Sequence, residues 1–138
     1  AVVQEAIARK IHLGDTTDLA MVRLLTYLGK AYYEYYQARS ADSCLWKALA
    51  LKQQIDSTED FFMADILDHL GLNELSLSEF EAGLANIRHA NQIKLNLFSS
   101  QHPFFIESCS NLAEAYHTWG DNDSATFWVI LSFCSLLT

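Results

Sequence analysis

The chain has 138 residues, a net charge of −8, 51% hydrophobic residues and 19% charged ones. That length suits about one domain, and nine basic residues scattered among seventeen acidic ones exclude the clustered Lys/Arg that a nucleic-acid binder needs to displace counterions. One proline and five glycines argue against disorder, and the longest apolar run, 13 residues near the C-terminus, is short of the roughly twenty that span a bilayer.

In chain order the predicted elements recur every 42 residues. Residues 1–14 read as the second helix of a truncated unit, with Val3, Ala6 and Lys10 in its columns. Residues 15–56 are a full unit. Its first helix follows Asp18, a capping residue type, and carries Leu25, Leu28, Gly29 and Tyr32 at i, i+3, i+4, i+7, one face of an α-helix. Tyr33, Tyr35 and Tyr36 ride the end of that helix; Tyr32 is the wedge residue, and Tyr35 and Tyr36 are expected to cover the next unit. Its second helix carries Ala41, Leu45 and Ala48. Gly29 and Ala41 lack bulk, so the two helix backbones can approach closely.

Residues 57–98 repeat the columns as Asp60, Leu70, Gly71, then Gly83, Ile87 and Ala90, with Glu74 in place of the tyrosine. Ser78, with Glu81 three residues later, reads as a capping box opening the second helix. Residues 99–138 repeat them again as Leu112, Ala113, Tyr116, then Ala125, Val129 and Ser132. His102 stands in the capping column, and Pro103 is a good first helical residue. The stretch WGDND, Trp119–Asp123, marks the turn between paired helices. The last helix is apolar on almost every side, whereas a terminal repeat needs a polar outer face. Either the array continues beyond this chain, or residues 123–138 support self-association.

These columns resemble the tetratricopeptide repeat. The closest match is the third unit, HPFFIESCSNLAEAYHTWGDNDSATFWVILS. The long period and His-Pro entry are similar to repeats of the kinesin light chain group. The resemblance implies an all-α fold: an α-α superhelix, or solenoid, of about three antiparallel helix pairs plus a leading half repeat, with residues 1–138 as one domain. Tyr36 and Ser78 stand where the third unit has its turn glycine, Gly120, which leaves local helix lengths open.

The resemblance further implies that the first helices line a concave, partner-binding groove. Residues offset from the Leu/Gly/Tyr stripe would face it: Arg23, Thr26, Lys30 and Tyr33 in the first unit. Asp65, Asp68, Leu72 and Leu75 follow in the second, and Glu107, Ser110, Glu114 and His117 in the third. Those carboxylates suit a protein or peptide with basic residues near an apolar anchor. No nucleic-acid or membrane partner is expected.

Reactive chemistry finds no motif. Three cysteines, Cys44, Cys109 and Cys134, form no CxxC pair and read as free, buried thiols of a reducing, cytoplasmic setting. Asp65 and His69 sit at i, i+4, but no third ligand or nucleophile is positioned beside them. The expectation is no enzyme, no catalytic residue, no metal and no cofactor. A ligand-sensing or regulatory segment of a larger multidomain protein is the alternative.

Overall fold

The structure is a computed structural model and describes residues 2–12 and 18–137, with side chains through Cys134. Its helices are α1 (Val2–His12), α2 (Leu19–Glu34), α3 (Ala38–Ile55), α4 (Phe61–Ser76), α5 (Phe80–Leu97), α6 (Pro103–Trp119) and α7 (Asn122–Leu137). No strand occurs among the described residues. Two compact units divide the chain, residues 1–58 and 59–138. Within the first, α1 lies on α2 and α2 pairs with α3. Within the second, α4 pairs with α5, α6 pairs with α7, and α6 also lies against α4 and α5.

Each first helix starts at the expected cap, which satisfies an amide that has no partner inside the helix. Asp18 Oδ1 accepts from the Met21 amide at 2.8 Å, and Asp60 Oδ1 from the Met63 amide at 3.0 Å. At α6 the capping acceptor is His102 Nδ1, 3.2 Å from the Phe104 amide, with Pro103 in the first turn. Lysines near the ends of α1 and α3 reach the connections that follow them. Lys10 Nζ donates to Asp18 Oδ2 at 2.9 Å, and the fully buried Lys52 donates to the Asp56 carbonyl at 2.8 Å.

Small residues hold the paired helices close. A Cβ on Gly29 would stand 2.6 Å from Leu45 Cγ. One on Gly71 would stand 2.5 Å from Ile87 Cγ1 and 2.7 Å from the Gly83 carbonyl oxygen. Leu70 and Leu112 are fully buried at the same position of their helices, and Leu28 is half-buried.

The turns differ from expectation in one respect. Ser78 does not open a capping box: it is left-handed, φ 64°, and α5 starts after Glu79 without a side-chain cap. Tyr36, φ 58°, and Gly120, φ 92°, occupy the same turn position. All three turns therefore need a left-handed residue, and only the third supplies glycine, the type that adopts it without a Cβ penalty. Tyr35 and Tyr36 are 76% and 96% exposed. Tyr32 is half-buried, and its hydroxyl accepts from Gln4 Nε2 at 2.7 Å. Cys109 is buried as expected, but Cys44 is half-buried and Cys134 exposed.

Candidate partner-binding face

The first-helix residues singled out by register take three different environments. On α2, Arg23 is exposed, while Lys30 and Tyr33 are half-buried. Lys30 Nζ sits 5.5 Å from the centre of the Tyr27 ring, at cation–π range. Thr26 is buried, and its hydroxyl donates to the Val22 carbonyl at 2.8 Å. A hydroxyl satisfied by its own helix offers a partner little.

On α4 the polar residues turn inward. Asp68 is buried and ion-paired with Lys94 of α5, itself buried. Burial pushes the Asp68 carboxyl above the usual carboxylate range, opposed by the Lys94 ammonium. Asp65 is half-buried beside His69, whose Nδ1 lies 2.8 Å from the Asp65 carbonyl and 3.4 Å from its carboxylate. Leu72 and Leu75 pack on the core formed by Leu84, Ile87, Leu112 and Ala115.

On α6 all four residues, Glu107, Ser110, Glu114 and His117, are exposed. Three of them, Ser110, Glu114 and His117, line one open groove between α6 and α7 of about 610 Å³. Ala113 and Ala125 make its floor, and Val129 and Phe133 of α7 its apolar wall. His117 Nδ1 lies 3.0 Å from Asn122 Oδ1, bridging the two helices at one end. Ala125, Val129 and Ser132 of α7 stood in the repeat columns, but a reading that sought the groove only on first helices placed no α7 residue in it. Register alone would not have done so, because Val129 shares its column with the buried Leu45 and Ile87.

Among the described residues no three His, Cys, Asp or Glu side chains are grouped to hold a metal ion. No described helix is long and apolar enough to cross a membrane.

No protein-family model matches the chain, and no curated protein matches it by sequence. Solved structures do match. BtubC (BKLC) from P. vanneervenii superposes with a TM-score of 0.85 at 18% identity, over 96% of this chain and 53% of that one. A variant of the nearly identical TPR-like repeats of kinesin light chain type from Podosopora anserina gives 0.83 at 16%, over 94% and 61%. A second structure of those repeats gives 0.75 at 16%, over 96% and 63%. The fold is a TPR-like solenoid of the kinesin light chain type. Its helix pairs are α2/α3, α4/α5 and α6/α7, with α1 as the leading half repeat. The chain spans between half and two thirds of the length of these TPR-like structures.

Proposed function

We propose that this chain is a non-catalytic scaffold that binds a protein or peptide through the exposed faces of its first helices, in the cytoplasm. The observation that carries the reading is the convergence of Ser110, Glu114 and His117 on one open groove with an apolar wall. A few placed polar groups beside apolar surface is what peptide recognition requires. On α2 the residues open to a partner are Arg23, Lys30 and Tyr33; on α4, Asp65 with the edges of Leu72 and Leu75. Asp68 and Thr26 support the fold of those helices from inside.

Charge selects the partner. The chain carries −8, and Glu107 and Glu114 are exposed on the third first helix. A segment with Lys or Arg near an apolar anchor is steered toward such a surface. The test is a fluorescence-anisotropy panel of short peptides holding a Leu-Leu anchor flanked by Lys, Glu or Ser. The Lys peptides should bind best, weaken with added salt, and lose affinity on Glu107→Lys/Glu114→Lys. Equal binding of all three, unaffected by the charge reversal, would remove the reading.

A further inference from the structure

Charge is divided unevenly between the two units. Residues 1–58 hold seven of the nine basic residues and six of the seventeen acidic ones, a net charge of +1. Residues 59–138 hold the remaining two and eleven, a net charge of −9. The basic partner suits the second unit. The first presents a different surface, on its second helix.

Arg39, Ser43, Trp46, Lys47 and Ala50 fall at i, i+4, i+7, i+8 and i+11 of α3, one stripe of a helix with 3.6 residues per turn. All five are exposed, Trp46 by 48%. The opposite stripe, Ala41, Leu45, Ala48 and Lys52, is buried. Asp42, the one carboxylate within α3, lies toward that buried side, half-buried and in the column of Leu84. Arg39 and Lys47 make no ion pair among the described residues.

Stacking of a following repeat does not close such a face. In the second unit α6 lies on α5, yet the same columns of α5, from Glu81 through Ala85, Arg88 and His89 to Gln92, all stay exposed. On α3 that face is basic and aromatic. Ser43 and Ala50, three before and four after Trp46, are too small to cover the indole. Tryptophan and arginine are the residue types that most often carry the binding energy of an interface. Arg39 and Lys47 stand about 12 Å apart along the helix. Two cations are too few to track a nucleic-acid backbone, but they suit carboxylates placed on either side of an apolar group. A unit at +1 does not repel such a ligand as the −9 unit does.

We propose that the outer face of α3 docks a partner protein through an acidic segment, whose carboxylates meet Arg39 and Lys47 and whose apolar side chain lies on Trp46. This surface is separate from the first-helix faces of the scaffold reading, and the two stand or fall independently.

The probe is a labelled peptide with a Leu-Leu anchor flanked by Glu, titrated into the full chain by fluorescence anisotropy. It should bind saturably. Arg39→Glu/Lys47→Glu should weaken it at least tenfold, and Trp46→Ala about fivefold. All three residues are exposed, so the fold should survive, which circular dichroism checks. Arg9→Glu/Arg88→Glu makes the same change in net charge at two other exposed cations and should alter the affinity less than twofold. Equal losses in the two double variants would mean that net charge alone acts, and the inference falls. It falls equally if the Glu peptide does not bind, or if Trp46→Ala binds it as tightly as the wild type. A light-scattering mass that rises with concentration, and that Arg39→Glu/Lys47→Glu restores to the monomer, would assign the face to the acidic unit of a second copy and overturn it.

Discussion

Asp68 and Lys94 are charged residues buried together inside the second unit. Their side chains are 3% and 6% exposed, so each charge depends on the other for compensation. Asp68→Ala strands a buried ammonium and should cost about 3–5 kcal/mol, measured by urea unfolding. Asp68→Leu with Lys94→Met should lie close to the wild type, since well-packed apolar pairs often replace buried ion pairs without loss. A double variant as unstable as the single one would mean that the pair's hydrogen bonding, not its charge balance, holds α4 to α5. Asp56 and Asp121 work the other way, at the surface. Hydrogen bonds from Thr58 hold the Asp56 carboxyl below the usual carboxylate range, and Ser124 does the same for Asp121. Their native pKa values are lowered, so the stability they add is present above the ordinary carboxylate pKa and lost as pH falls through the native values. Asp56→Asn/Asp121→Asn should flatten the acid side of the stability–pH curve and leave its neutral side nearly level. Tyr36 offers a gain. It is left-handed and 96% exposed, and that conformation costs a residue with a Cβ about 1–2 kcal/mol. Tyr36→Gly should raise the melting temperature by a few degrees; a drop would show that the ring makes contacts in solution that outweigh the backbone cost.

At the scale of the helix, spacing decides. Gly71→Ala would drive a methyl to 2.7 Å from the Gly83 carbonyl and 2.5 Å from Ile87. Backbone must then move, and about 1–3 kcal/mol of destabilisation should follow despite alanine's better helix propensity. The third pair carries Ala113 and Ala125 in the same columns, so Ala113→Gly should cost only the propensity difference of about 1 kcal/mol. The small-residue columns were legible in the sequence because a close helix crossing has to be paid for at the same two positions in every repeat. Caps were legible at Asp18, Asp60 and His102 because the acceptor lies within three residues of the amide it serves. Other features were not. The burial of Asp68 depends on Lys94, 26 residues away on another helix, and nothing local to Asp68 announces it. Ser78 and Glu81 match a capping box locally, but the turn geometry shared with Gly120 overrides the match. The α7 wall of the groove was hidden by a helix apolar on nearly every side, where composition cannot say which face is covered.

Across the whole molecule, exposed apolar side chains occur in both units, and α7 carries four of those in the second: Phe127, Val129, Ile130 and Phe133. Phe127, Ile130 and Phe133 of α7 are each more than half exposed, where α5 carries Ala85, Arg88 and Asn91 in the same columns. Phe127 and Ile130 lie outside the groove lining, so the self-association expected of residues 123–138 can be tested apart from the groove. Phe127→Ser/Ile130→Arg should leave peptide binding in the groove intact and reduce any concentration-dependent rise in light-scattering mass. The central claim is more local: a basic, apolar partner is received between α6 and α7. Amide chemical-shift mapping during a titration with a Lys-flanked apolar peptide tests it most directly. The account predicts that the largest shifts fall on Ser110, Glu114, His117 and Val129, with α5's outer face unmoved. Saturable binding whose shifts cluster on α5 or α3 and leave those four residues unchanged would contradict it.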